Sequence, residues 1–187
     1  MKFKPSPQTG NLLVEIEPGK SRLLTSLGPI NCLKKILVPI DFLECSKHAL
    51  RYALAFADQF NAEITLLSVV PDSYTNFDRE NDEFSNFQEN RKHEYQAQLN
   101  LFAAEEIART PHTTLVTTGR PFEEIVRVAR ELDFDLIIIS THGRHEANNT
   151  YFGSTAERVV RFAPCPVLVV RQKEREFVAP TWRPGRD

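Results

Sequence analysis

Four residues, Gly143, Gly153, Ser154 and Thr155, are of types that suit the chemistry of holding phosphate. Gly153 lets backbone approach a ligand closely, and Ser154 is a good helix N-cap. Glu157, three residues on, completes an S-x-x-E capping-box pattern. A helix that starts here presents exposed amides and the positive end of its dipole, both of which favour an anion. Gly143 offers another amide with no side chain in the way. The segment between, Arg144 to Phe152, holds Asn148, Asn149 and Thr150 and is long enough to close over bound phosphates, with Arg144 and His145 adding positive charge. The same residues also describe an ordinary capped helix after a long loop, and at this level the two readings stand equal.

Other nucleotide signatures are missing. The chain has neither a G-x-x-x-x-G-K-[ST] loop nor a G-x-G-x-x-G after its first core strand. Asp41, just past that strand, is placed to accept hydrogen bonds from a base or ribose, or else to serve as a turn or cap residue. His142 and His145 have the near-neutral reference pKa that acid–base work needs, but their position alone assigns them no role. No catalytic residue is assigned.

The elements that position these residues alternate. Lys35–Pro39 is a short, branched apolar run that predicts a buried strand. Ser46 to Phe60 follows, with Ala49, Ala53, Phe56, Ala57 and Phe60 on one helical face. Glu63–Val70 is a second strand, and Pro71 to Asn90, rich in acidic residues, is expected as a surface loop. A longer helix is predicted from Phe87 to Arg109 with Tyr95, Leu99, Phe102, Ala103 and Ile107 inward. Thr113–Thr118 is a third strand and Gly119 a turn, followed by a helix that Pro121 opens, with Phe122, Ile125, Val126, Ala129 and Leu132 on its inner stripe. Asp135–Ser140 is a fourth strand, Gly153 to Ala163 the last helix and Pro166–Arg171 the last strand. Strands that read as unbroken apolar runs belong to parallel sheets, and right-handed crossovers make such a chain a doubly wound α/β sheet with helices on both faces. Ligands of such sheets sit beyond the carboxyl ends of the strands, where Asp41, Ser140 and Gly153 all fall.

The 187 residues suit one domain with tails: an irregular amino-terminal extension over 1–33, punctuated by proline and glycine, a core over 34–172 and a carboxyl-terminal tail over 173–187. With 41% hydrophobic and 26% charged residues the composition is that of a soluble globular chain, and a net charge of -2 argues for neither nucleic acid nor an acidic membrane as partner. The three cysteines, Cys32, Cys45 and Cys165, form no C-x-x-C and suggest neither a disulfide framework nor a zinc site. The first residues lack the apolar core of a signal peptide, and no apolar run approaches the ~20 residues that span a bilayer. The cytoplasm is therefore the expected location.

These residues together resemble the universal stress protein family. Its phosphate motif, G-x2-G-x9-G-[ST], is matched with its spacings intact and Ser140 in place of the first glycine. K-K-I-L-V-P-I-D at 34–41, G-x-P at 119–121 and S-T-A-E-R-V-V-R-F-A-P-C-P-V-L-V-V at 154–170 are similar to the family's text as well, so the resemblance covers 34–171. It implies a five-stranded, Rossmann-like parallel sheet in the order 3-2-1-4-5 and a homodimer that pairs its fifth strands, here 166–171. It further implies that ATP, with Mg2+, is bound: Pro39, Asp41 and Val69 at adenine and ribose, Ser140 on the ribose side, and Gly143, Gly153, Ser154 and Thr155 at the phosphates. The expected function is that of a regulatory nucleotide-binding module, with a slow ATPase or a nucleotide-free dimeric scaffold as the alternatives.

Overall fold

A computed structural model describes residues 2–5, 12–15, 33–72, 82–107, 110–141 and 153–171. The chain divides into two compact units, Met1–Cys32 and Leu33–Asp187. In the first, β1 (Lys2–Pro5) and β2 (Leu12–Glu15) pair antiparallel, with Phe3 opposite Val14. The sequence allows a short strand at Leu12–Ile16, which β2 overlaps, whereas β1 lies in a stretch expected to be irregular.

The second unit runs β3 (Lys35–Pro39), α1 (Glu44–Phe60), β4 (Glu63–Pro71), α2 (Asp82–Glu106), β5 (His112–Gly119), α3 (Pro121–Glu131), β6 (Leu136–Ser140), α4 (Ser154–Phe162) and β7 (Val167–Val170). Its five strands lie in the order β5-β4-β3-β6-β7 and every pairing is parallel. Counted within the sheet this is 3-2-1-4-5, the expected doubly wound fold.

The pleat sorts the core into two layers. Ile36, Val38, Ile64, Leu66 and Ile138 point to the face that α1 and α2 cover, where they meet Ala49, Ala53, Leu99 and Ala103. Leu37, Leu67, Ile137 and Ile139 point the other way and pack on Ile125, Val128, Ala129 and Val159 of α3 and α4. Because successive strand residues face opposite sides, an unbroken apolar run is what a strand buried on both faces requires. Among the inner-stripe residues expected on α3, Leu132 is the exception. It follows the last helical residue as the C-cap and is 48% exposed.

The segment expected as a loop from Pro71 to Asn90 is helical from Asp82 onward. Acidic residues there suit the first turn of a helix, where the dipole favours negative charge, so the polarity that reads as loop also fits a helix start. Lys47 of α1 joins this helix to the rest: its ammonium lies 3.3 Å from Glu44 and 3.3 Å from Glu106. Gly119 has a φ of 151°, which places a glycine where β5 turns into α3.

Asp135 ties the two central strands at their amino-terminal ends. Its Oδ2 accepts the backbone N–H groups of Lys34 at 2.8 Å and Lys35 at 2.9 Å, while its own N–H donates to the Lys35 carbonyl at 3.0 Å. At this exposed site, where water can replace the lost acceptor, the hydrogen bonds contribute on the order of 0.5–1.5 kcal/mol. Asp135→Ala is expected to lower the unfolding free energy obtained from urea titration by that amount, and Asp135→Asn, which keeps one acceptor oxygen, by less.

Candidate functional site

The tips of β3, β4 and β6 meet around a cavity of about 360 Å3. Pro39, Leu67, Val69 and Ile139 make an apolar floor, with Ser68 and Ser140 among them. Tyr95 of α2 stands on one side of the sheet, and Pro121, Ile125 and Ala156 of α3 and α4 stand on the other. Asp41 and the first residues of α4, Gly153, Ser154 and Thr155, complete the lining. The strand order explains the place. From β3 the chain winds outward through β4 and β5, then returns to β6 on the other side, and the crevice opens where the direction reverses.

Asp41 makes the turn that the sequence allows and also borders the cavity. Its Oδ1 accepts the Leu43 N–H at 3.1 Å, a turn that leads into α1, and the residue also lines the cavity. Phe42 between them has a φ of 66°, a left-handed conformation that a bulky side chain rarely takes. Leu43 then forms the N-cap of α1, and Ser46 donates its hydroxyl to the Leu43 carbonyl at 2.8 Å. Burial pushes the Cys45 thiol up from its ordinary pKa, and the neighbouring Asp41 carboxylate pushes it further in the same direction.

The start of α4 differs from the expected capping box. Its N-cap is Gly153, not Ser154, and no side chain caps it. Glu157 donates its backbone N–H to the Gly153 carbonyl at 3.0 Å, while its carboxylate lies 3.2 Å from Arg161 one turn on. The reason lies in the sheet. The Gly153 N–H donates to the Thr141 carbonyl at 2.7 Å, and the Thr141 N–H donates to the Val170 carbonyl at 3.1 Å. These bonds hold the helix start against the tips of β6 and β7 one residue earlier than the local pattern suggests. Ser154 and Thr155 thereby fall in the first turn, where their amides and that of Ala156 have no acceptor within the helix. Gly153 itself has φ -69° and ψ 146°, extended backbone that any residue adopts, so its missing side chain matters for close approach and not for the turn.

Pro39, Asp41, Val69, Ser140, Gly153, Ser154 and Thr155 are therefore brought to one cavity. Gly143, Arg144, His142 and His145 lie outside the described residues. Among the described lining residues Asp41 is the one carboxylate, and none is a lysine or arginine. The described residues hold no cluster of three or more histidine, cysteine or acidic side chains able to bind a metal. None of the described helices is long and apolar enough to cross a membrane. Tyr95, Pro121 and Thr141 were not among the site residues read from the sequence. Pro121 stands in the quoted G-x-P, and Tyr95 carries the one available signal of its kind, a polar tip on an otherwise apolar stripe.

Fold and site together define a doubly wound α/β protein with a ligand-sized crevice at its switch point, bordered by a helix amino terminus. Within that class the chain belongs to the universal stress protein family, whose model matches residues 33–171. It is 35% identical over 149 residues to universal stress protein MJ0531 of Methanocaldococcus jannaschii, covering 78% of this chain and 86% of that protein. The solved structure of protein MJ0577, from the same organism, is 30% identical and superposes with a TM-score of 0.66, over 76% of this chain and 99% of that one. A universal stress protein solved in complex with cAMP shares the fold at 20% identity and a TM-score of 0.53, covering 73% of this chain and 96% of that one.

The two causes acting on Cys45 predict its reactivity. Alkylation of Cys45 by iodoacetamide, followed peptide by peptide in the mass spectrometer, is expected to stay slower than in the unfolded chain through neutral pH and to climb only above the usual thiol range. Asp41→Asn removes one cause and speeds the reaction, whereas equal rates in both proteins would show that the carboxylate does not act on the thiol.

Proposed function

We propose that this protein binds an adenine nucleotide, ATP for preference, and acts as a regulatory module whose occupancy is read by a partner. The observation that carries this reading is the start of α4. Its first-turn amides and the hydroxyl-bearing Ser154 and Thr155 border an apolar cavity at the switch point of the sheet. In this reading Pro39 and Val69 pack against adenine, Asp41 accepts from the nucleoside, and Ser140 sits at the ribose. Gly153, Ser154 and Thr155 hold the phosphates, with Gly143 and Arg144 of the motif as further candidates. Serine in place of the motif's first glycine adds one hydroxyl, which suits a ribose neighbour. A Mg2+ ion would arrive on the phosphates, since Asp41 is the sole carboxylate of the described lining. A cavity of about 360 Å3 lies within the ordinary range for small-ligand sites.

The second part of the proposal is a homodimer through β7. This strand forms one edge of the sheet, paired on its inner side with β6. On the neighbouring α4, Val160 and Phe162 are 48% and 53% exposed. An open edge beside apolar side chains suits pairing with a second copy. Sedimentation at micromolar concentration is expected to give twice the 21.4 kDa chain mass, and Val169→Pro, which removes an N–H on the side of β7 away from β6, to give monomer.

Mass spectrometry of small molecules released from the purified protein, with calorimetric titration of Mg-ATP, tests the nucleotide. Co-purified ATP or micromolar binding is expected. Gly153→Val, whose backbone tolerates valine, is expected to weaken binding at least tenfold with the melting temperature nearly unchanged. No heat at millimolar ATP, from a protein that carries no nucleotide, would leave a nucleotide-free scaffold as the reading.

A further inference from the structure

Tyr95 is the one described side chain of α2 that reaches the cavity, and the one aromatic ring in the described lining. It is half-buried and packed against the core layer on the α1 and α2 face. Phe42, in the turn before α1, and Arg91 of α2 itself flank its ring. Phe42 meets it edge to face, centroids 6.0 Å apart at 71°, and Phe42 in turn meets Phe102 at 6.1 Å and 77°. The Arg91 guanidinium lies 5.8 Å from the centroid of Tyr95 and 5.8 Å from that of Phe87. Phe87, Arg91 and Tyr95 repeat every four residues along one stripe of α2, so the helix itself supports the stack.

The same contacts join Tyr95 to Asp41. The left-handed φ of Phe42 throws its ring toward α2 while its neighbour Asp41 makes the Leu43 turn and borders the cavity. Strain at a bulky residue persists where surrounding contacts hold it, and here the contacts are Tyr95 and Phe102. The phosphate-suited amides of α4 belong to the opposite face: α4 packs with Leu37, Ile137 and Ile139, whereas α2 packs with Ile36, Val38 and Leu66. Tyr95 therefore stands on Asp41's side of the crevice, away from the helix start.

We propose that Tyr95 is a specificity-determining residue of the cleft, contacting the base or ribose of the nucleotide and not its phosphates, with Phe42 and Arg91 holding the ring in place. This rests on the nucleotide reading above and adds a residue to it. A fixed aromatic wall favours a ligand with a planar, uncharged end, because a base of any kind offers a π-face to it.

Calorimetry on Tyr95→Leu and Tyr95→Phe, with Mg-ATP, adenosine and inorganic tripolyphosphate as probes, tests the proposal. Leucine keeps an apolar filler for the stack and removes the ring, and the melting temperature of each variant is read alongside. The expected result is that Tyr95→Leu weakens ATP and adenosine by the same factor, on the order of tenfold, and leaves tripolyphosphate unchanged. Tyr95→Phe is expected to retain adenosine binding to within a few-fold. Adenosine binding by Tyr95→Leu as tight as by the wild-type protein overturns the proposal and leaves nucleotide binding intact. Parallel loss of tripolyphosphate overturns it too, since it shows a general collapse of the cleft. Should Tyr95→Leu fail to fold, Phe42→Leu, which frees the ring without touching the lining, decides by the same adenosine-against-tripolyphosphate comparison. A wild-type protein that binds neither ATP nor adenosine overturns the nucleotide reading itself, and this proposal with it.

Discussion

The central strands β3 and β6 are buried on both faces, and the architecture follows from covering them. Ile36, Leu37, Val38, Ile137 and Ile138 have no exposed surface, yet along each strand they point alternately to opposite sides. Each side therefore needs its own layer of helices. A parallel neighbour can be reached only by a crossover, and crossovers of one hand place the helix on a face set by the direction of travel. Travel from β3 toward β5 puts α1 and α2 on one face, and the return to β6 and on to β7 puts α3 and α4 on the other. The reversal leaves the tips of β3 and β6 side by side with helices diverging above them. The cavity is the consequence.

This constraint also determines which chemistry the cavity can offer. Its floor is made of strand residues and is mostly apolar, and apart from Ser68 within β4 the polar groups enter where the chain leaves the sheet: Asp41 after β3, Ser140 and Thr141 at the end of β6. The helix start at Gly153 is drawn to the same place by its bond to Thr141, which is itself bonded to Val170 of the neighbouring strand. A nucleotide, apolar and planar at one end and anionic at the other, matches this division. Aromatic and aliphatic surface lies toward α2 and the floor, and amides lie toward α4.

Much of this was legible from residue types. The branched runs at 35–39 and 136–140 announced buried strands because no other element tolerates so continuous an apolar sequence at that length. The stripes Ala49–Ala53–Ala57 and Leu99–Ala103–Ile107 did the same for α1 and α2, and all of these residues are buried. The beginning of α2 was hidden because acidic residues suit a loop and a helix's first turn equally well. The capping box at Ser154 misled for a related reason: the pattern is local, whereas the position of the helix start was decided by a hydrogen bond to a strand a dozen residues earlier. Tyr95 read as core because a helical stripe says which residues face inward, but not whether the space they face is filled.

The sequence by itself determined the strands of the second unit, their parallel pairing and its helices apart from the beginning of α2, since periodicity and branching are properties of the chain alone. Tertiary structure decided what lies across from what. It put Tyr95 into the same cavity as Asp41, turned Phe42 into a left-handed conformation between them, and moved the cap of α4 to Gly153. The physical reason is the same each time: a contact between residues far apart in the chain depends on which face of the sheet each element covers, and that is fixed only when the whole sheet closes its two layers.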